Sequence, residues 1–240
     1  MALITGAAHR IGATVARTLH EAGMNIVIHY RASREGAQAL QAELNARRPE
    51  SVVLVQADLH ETDKLVAMAK EAHKAWGRLD VLINNASSFY PTTIGEIDEA
   101  VWEDLMGSNL KAPLFLSQAV APYLRESEGC IVNIVDIHAE RPLKGYPVYS
   151  MAKAGLAMLT KSLAGELGPE IRVNAVAPGA ILWPEHEMDE LTKQRIISRT
   201  FLKRQGSPTD IAKAIRFMVL DAPYVSGQIL AVDGGRSLNS

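Results

Sequence analysis

The stretch "IVNIVDIHAERPLKGYPVYSMAK", Ile131 to Lys153, sets Tyr149 four residues before Lys153 and Asp136 thirteen before the tyrosine. A phenol, an ammonium and a carboxyl group gathered in one place can hold and deliver a proton. An unperturbed phenol titrates near about 10, poorly matched to neutral pH, and a neighbouring ammonium favours its ionised form. Residues four apart share a helix face, so a helix over this segment presents Tyr149 and Lys153 together. Such pairs also occur on ordinary solvated helices, and Asp136 by itself reads equally as a strand-end acid capping a loop. The chemistry therefore depends on the elements around the three residues.

Those elements follow from the apolar pattern. After Tyr149, the residues Ala152, Leu156, Leu159, Leu163 and Leu167 recur at spacings of three and four, which predicts an apolar stripe on one helix. Seven runs, "MALIT", "NIVIH", "SVVLVQA", "DVLINNA", "CIVNIVD", "IRVNAVAP" and "QILAVDGG", read as strands, with helix-length amphipathic segments between them. Unbroken apolar strands suit a parallel sheet buried on both faces, and the alternation implies βαβ crossovers. The expected fold class is α/β: a single-domain Rossmann fold over residues 1–240, a doubly wound, seven-stranded parallel sheet flanked by helices. "ILWPEHEMDELTKQRIISRT", Ile181 to Thr200, breaks the rhythm with a proline and a cluster of acids, and reads as a mobile substrate flap around 181–204.

Composition narrows the classes of function. The 240 residues are 48% apolar, enough for one sizeable core. A net charge of -2, with no basic run or aromatic-basic interleaving, argues against a nucleic-acid partner. Cys130 is the only cysteine, which excludes an internal disulfide and reads as a buried structural thiol. No stretch reaches the ~18 apolar residues of a membrane span, and no charged-then-apolar leader precedes the first motif, so the cytoplasm is the expected location. "MALITGAA" reads as a strand already under way, and a few further residues are expected before it. His9, His29 and His138 fall near predicted site loops, but no metal-ligand spacing such as H-E-x-x-H occurs, and no metal is expected. The acids of "EHEMDE", Glu185 to Glu190, read as a solvated flap or a helix start.

The first strand runs into "TGAAHRIG", Thr5 to Gly12, and then into the helix "ATVARTLHEAG". A glycine turn that opens a helix after a strand offers backbone N–H groups and a helix dipole to a diphosphate. After the second strand, "IHYRASREG", His29 to Gly36, carries no acid where a cofactor lacking a 2′-phosphate would meet one on its ribose. Arg31 and Ser33 instead supply a charged fork and a hydroxyl suited to a phosphate, which favours NADPH over NADH.

With "TGAAHRIG", "NNAS", "YSMAK", "APG" and "VDGG" in order along almost the whole chain, the sequence resembles the short-chain dehydrogenase/reductases. The resemblance implies that Tyr149 is the proton donor, that Lys153 holds the nicotinamide ribose and lowers the tyrosine's pKa, and that Asn109 binds a proton-relaying water. It implies cofactor contacts from Gly6, His9, Arg10, Ile11 and Gly12 in the turn, and from His29, Tyr30, Arg31 and Ser33 after the second strand. Asp58 and Leu59 would lie beside the adenine. Asn85, Ala86 and Ser87 would form the floor, and Pro178 and Gly179 would meet the carboxamide.

Three departures from the family pattern point to one substrate class. The serine usual about thirteen residues before the tyrosine is Asp136, whose carboxylate would repel the oxyanion that forms in carbonyl reduction. Arg10 stands where the turn has its middle glycine. "NNAG" has become "NNASSFYP", Asn84 to Pro91, bringing Ser87, Ser88, Phe89 and Tyr90 to the cleft. Reducing a C=N bond requires a proton on nitrogen, which a carboxyl coupled to a phenol can supply, while Phe89 stacks on a flat ring and Arg10 and Ser87 bond its polar edge. Tyr90 reads as either a supporting group or packing. "NNASSFYPT", "VQADL" and "VDGGRSL" resemble the pteridine reductases in particular. That resemblance implies NADPH-dependent reduction of dihydropterins or dihydrofolate in a homotetramer, with Arg10, Ser87, Phe89, Asp136 and Tyr149 meeting the substrate. The alternatives are a 3-oxoacyl-thioester or small-ketone reductase on the same scaffold, and a non-catalytic NADPH-sensing protein.

Overall fold

The computed structural model describes residues 1–183 and 189–239. All seven apolar runs are strands: β1 (Ala2–Ile4), β2 (Ile26–Tyr30), β3 (Val52–Gln56), β4 (Val81–Asn84), β5 (Cys130–Ile134), β6 (Arg172–Pro178) and β7 (Ile229–Val232). They form one parallel sheet in the order β3-β2-β1-β4-β5-β6-β7. Strand order reverses between β1 and β4, and in such sheets the crevice at the carboxyl ends beside this point receives the ligand.

The helices in chain order are α1 (Arg10–Glu21), α2 (Arg34–Arg47), α3 (Thr62–Lys74), α4 (Glu99–Met106), α5 (Ala112–Glu126), α6 (Pro147–Leu167), α7 (Glu190–Ser198) and α8 (Pro208–Arg216). Alternate strand residues serve opposite faces. Ala2, Ile4, Ile26 and Ile28 join a core with Leu19 of α1, Leu40 of α2 and Ile215 of α8. Leu3 and Val27 join another with Leu65 of α3 and Leu116 of α5. The inner strands β1, β2, β4 and β5 are buried throughout, and the edge strands β3 and β7 are not. The stripe on α6 is present, with Ala152, Leu156 and Leu167 buried and Leu159 and Leu163 partly so. Cys130 is a buried free thiol.

Two features position the crevice. A π-helical turn, Gly107–Lys111, joins α4 to α5 and carries Asn109; such turns recur at functional sites. The segment read as a flap is not a loop throughout. Residues 184–188 of it, with the acids Glu185 and Glu187, lie outside the described residues. Asp189 caps α7 by accepting from the Thr192 N–H at 2.9 Å, so the acids nearest the helix do mark its start. No residue of α7 is buried, yet Thr200 is, and the Leu202 N–H donates to the Gly234 carbonyl at 3.1 Å, fastening this end of the segment beside β7.

Candidate active site

β1 delivers the chain into a turn with no room for side chains. Gly6 has φ +60°, and a Cβ there would approach Ala86 Cα to 3.0 Å; a Cβ on Gly12 would sit 2.6 Å from both Asn85 Nδ2 and the Gly6 carbonyl oxygen. Asn85 braces this turn by donating to the Thr5 and Gly6 carbonyls at 2.7 and 3.0 Å, and Thr5 Oγ1 accepts from the N–H groups of Asn85 and Ala86. Arg10 has φ +53°, the left-handed region that glycine enters freely. The backbone thus keeps the shape a glycine would give it, while the side chain adds a guanidinium whose Nη2 donates to the Trp183 carbonyl at 3.3 Å. α1 has no side-chain cap at His9 and no acid in its first turn, where Ile11 and Gly12 lie. Its leading N–H groups have no intrahelical partner, and the positive end of its dipole is not neutralised. This turn fits a diphosphate.

After β2 the loop carries Arg31 and Ser33, and the Ser33 hydroxyl makes no capping bond to α2. A Cβ on Gly36 would lie 2.1 Å from His9 Cε1, so this glycine admits the His9 ring beside the loop. Asp58 accepts from the His60 backbone N–H at 3.0 Å, which, with the imidazole side chain, holds its carboxyl below the ordinary range. Tyr30 and Leu59 belong by their side chains to the two cores, leaving only their backbones for a ligand. At the end of β6, which closes on Pro178, Gly179 is so close to the β7 turn that a Cβ would meet Asp233 Cβ at 2.6 Å.

His29, expected to touch the cofactor, is buried with both ring nitrogens engaged within the protein: Nδ1 accepts from the Gly6 N–H at 3.1 Å, and Nε2 faces the Ala57 carbonyl at 3.1 Å. These partners assign the neutral tautomer with its proton on Nε2, and burial lowers the imidazole's pKa. The ring holds the glycine turn against the end of β3.

The three residues of the opening stretch meet at the end of β5. Asp136 caps the short turn Ile137–Ala139 through Oδ1, which accepts from the His138 N–H at 2.8 Å, while Oδ2 accepts from the Tyr149 hydroxyl at 2.8 Å. One oxygen of Asp136 thus caps the loop, while the other accepts from the phenol of Tyr149. Pro147 starts α6, setting Tyr149 in its first turn and Lys153 in the next. Lys153 is buried, its Nζ donates to the Ile134 carbonyl at 2.9 Å, and burial takes its pKa down to about 8 against the pull of Asp136. The expectation that Lys153 lowers the tyrosine's pKa is not met in this arrangement. Burial, then the charge and hydrogen bond of Asp136, raise Tyr149 well above 10, while the ammonium lies 5.7 Å from the ring centroid and is turned to a carbonyl. The phenol stays protonated and directs its proton at a carboxyl oxygen.

The segment after β4 is held from below by Asn109. This buried amide donates to the Ser88 and Leu105 carbonyls at 3.0 and 2.9 Å, and its Oδ1 accepts from Ser87 Oγ at 2.7 Å. Its side chain braces the segment; the water-relay expectation is left to its backbone. Phe89 is 44% exposed, stacks on Tyr146 at 4.7 Å between centroids and meets Tyr149 edge-on at 4.8 Å. Tyr146 escaped sequence reasoning, although an aromatic three residues before Tyr149 was a usable signal. Tyr90 donates to Asp104 Oδ2 at 2.9 Å, and burial with that carboxylate raises its phenol to about 12. His60, also unforeseen, links Asp58 at 2.9 Å to Asp104 at 3.4 Å. One chain of polar contacts therefore runs from Asp58 through His60 and Asp104 to Tyr90.

Known proteins are similar to this chain along almost its whole length. A family model described as enoyl-(acyl carrier protein) reductase matches residues 6–237. Pteridine reductase 1 of Leishmania tarentolae is 38% identical over 278 aligned positions, covering 99% of this chain and 96% of its own length. The 3-oxoacyl-(acyl-carrier-protein) reductase FabG of Staphylococcus aureus (strain Mu50) is 37% identical, covering 98% and 96%, and the corresponding reductase of Synechocystis sp. is 35% identical over the same shares. Overall identity hardly separates pteridine from oxoacyl reduction. What the relatives have in common, together with the sheet order and the tyrosine-lysine helix, fixes the family: this chain is an oxidoreductase of the short-chain dehydrogenase/reductase family.

Proposed function

We propose that the protein is an NADPH-dependent pteridine reductase, reducing a C=N bond of a dihydropterin or dihydrofolate to the tetrahydro form. The observation that carries this reading is the Tyr149 hydroxyl donating to Asp136 Oδ2 at 2.8 Å. A carboxylate there opposes the oxyanion of a ketone reduction but suits a substrate nitrogen that must gain a proton. Arg31, Ser33 and His9 would receive the 2′-phosphate. The Gly6–Gly12 turn would take the diphosphate, and Lys153, with one donor on Ile134 and the rest free to turn, the nicotinamide ribose. The bound dihydronicotinamide supplies the hydride. Phe89, backed by Tyr146, offers its open face to a flat ring; Arg10 and Ser87 reach its polar edge. Tyr149 and Asp136 act as a coupled proton-holding pair, delivering a proton to the nitrogen beside the reduced carbon and regaining one from solvent.

The relatives named for 3-oxoacyl-(acyl-carrier-protein) reduction support a second reading, reduction of an acyl-thioester ketone. NADPH oxidation with dihydrobiopterin, dihydrofolate and an acetoacetyl thioester separates the two. Pterin-dependent oxidation that falls about a hundredfold or more in Asp136→Ser, with NADPH affinity retained, is expected from the usual weight of a general acid. Turnover of the thioester alone would refute the pterin reading.

A homotetramer fits the exposed apolar side chains: Trp102, Leu114 and Phe115 on α4 and α5, Met158 on α6, Phe217 and Leu220 just after α8, and Leu230 on β7. No helix among the described residues is long and apolar enough to cross a membrane. A cytoplasmic enzyme of four subunits is the reading, and light scattering of the purified chain tests its size.

A further inference from the structure

The chain beyond β7 is tied to two other segments, the loop after Asp136 and the base of the 189–204 segment. Asp233 turns it by accepting from the Gly235 and Ser237 N–H groups at 2.9 and 2.6 Å, through two left-handed glycines. A Cβ on Gly234 would meet Thr200 Cγ2 at 2.6 Å and one on Gly235 would meet Phe201 Cδ2 at 2.7 Å, so the turn seats against the base of the 189–204 segment. On its other side Arg141, from the loop after Asp136, donates to the Ser237 carbonyl at 2.8 Å and to that of Asn239, while Asn239 Nδ2 donates to the Arg199 carbonyl at 2.9 Å. Arg236 is therefore clamped between the loop that carries Asp136 and the segment that carries Arg199.

The Arg236 side chain is partly buried and makes no hydrogen bond or ion pair with the described residues. The carboxylates of Asp136 and Asp233 and the guanidinium of Arg199 lie within electrostatic reach of it. Each carboxylate oxygen nearby already holds a donor: His138 N–H and Tyr149 OH on Asp136, two backbone N–H groups on Asp233. A guanidinium partly removed from water near a second cation, with its fork unfilled among the described residues, gains from an anion that completes it. Burial first, and Arg199 with it, disfavour the charge that Asp136 and Asp233 favour. Arg141 ties the chain that carries Arg236 to the loop after Asp136, the carboxylate that holds the Tyr149 hydroxyl, which sets Arg236 on the substrate side of the proposed site.

We infer that Arg236, assisted by Arg199, is a specificity-determining residue that binds an oxyanion, a carboxylate or a phosphate ester, on the substrate's tail. This deepens the pteridine reading and rests on it for the identity of the ring.

The test compares the kcat/KM of the full-length protein for dihydrofolate (carboxylate tail), dihydroneopterin phosphate (phosphate tail) and dihydrobiopterin (uncharged tail) in wild type, Arg236→Gln and Arg236→Lys. NADPH binding verifies folding of each variant. The preference for one anionic substrate over dihydrobiopterin should fall at least tenfold in Arg236→Gln, mostly through KM, and recover in Arg236→Lys; the substrate whose preference falls names the anion's source. An unchanged ratio overturns the inference. If no pterin is reduced, the pteridine reading fails separately. The anion site is then decided by titrating the NADPH-loaded protein with p-aminobenzoylglutamate, which has the tail without the ring, and with inorganic phosphate. At least tenfold weaker binding of either in Arg236→Gln supports the site, and equal or absent binding in both proteins overturns it.

Discussion

Replacing His29 by Leu tests the reading of its ring as a structural brace for the glycine turn. Leucine nearly fills the imidazole's space, so the change removes two hydrogen bonds rather than opening a large cavity. The Gly6 N–H and the Ala57 carbonyl, each 3.1 Å from a ring nitrogen, lose their partners in a site where His29 is buried. An unsatisfied group of this kind costs about 1–3 kcal/mol, and the Gly6 side is only partly buried, so a total loss of about 2–4 kcal/mol is expected. For a chain of this size that corresponds to a fall in Tm of about 4–16 °C. NADPH affinity should drop as well, because the Gly6 turn loses its tether. The sign of the pH effect is fixed by the lowered imidazole pKa. Below the unfolded value of about 6.5 the unfolded chain takes up a proton that the folded imidazole refuses, so this residue's contribution to stability declines on acidification, by up to about 1.4 kcal/mol per pH unit. Urea unfolding of wild type and His29→Leu at pH 7.5 and 5.5 should therefore show a gap that narrows at the lower pH. A gap under about 1 kcal/mol, or one equal at both pH values, would refute the assignment.

Other outcomes follow from the same geometry. NADPH affinity should weaken as pH rises through about 8, where the buried Lys153 ammonium loses its proton, and a fluorescence titration of Lys153→Gln should show lower affinity without that inflection. His60 has a raised pKa: burial opposes the charge, but the hydrogen bonds and charges of Asp58 and Asp104 outweigh it. Its contribution is complete below the unfolded value of about 6.5 and is lost as pH rises through the higher folded one; being partly solvated, it is worth only a few tenths of a kcal/mol. Denaturant curves of His60→Asn should therefore converge on wild type between pH 6 and 8.5, and parallel curves would contradict this. Arg10→Gly should raise stability by about 1 kcal/mol by relieving the left-handed backbone, while lowering pterin turnover through loss of the guanidinium. A thermal melt and a turnover assay on one preparation check both halves.

The parts legible in the sequence are those whose physics is local. Strands such as Cys130–Ile134 are nearly continuous apolar runs because both of their faces are covered, and that pattern survives in one dimension. Tyr149 and Lys153 needed only the helix repeat, and the turn from Gly6 to Gly12 needed only a strand before it and a helix after it. Asp136 lies thirteen residues from Tyr149, and the sequence allowed it to cap a loop or to hold a proton; the fold gives one oxygen to each task. His29 lies near the end of β2, and only the packing of that strand between β1 and β3 shows that its ring nitrogens are spent on Gly6 and Ala57.

The sequence alone determined the α/β class, the seven strands, the glycine turn that opens α1 and the pairing of Tyr149 with Lys153 on one helix, because hydrophobic period, glycine punctuation and helix spacing are properties of neighbouring residues. Tertiary structure decided the protonation of Tyr149, set by burial and a carboxylate from another element. It also decided the stacking of Phe89 on Tyr146, the path from Asp58 through His60 to Tyr90, and the clamping of Arg236 near Asp136. These depend on distances and dielectric between segments as much as a hundred residues apart, which exist only once the sheet has brought its carboxyl ends together.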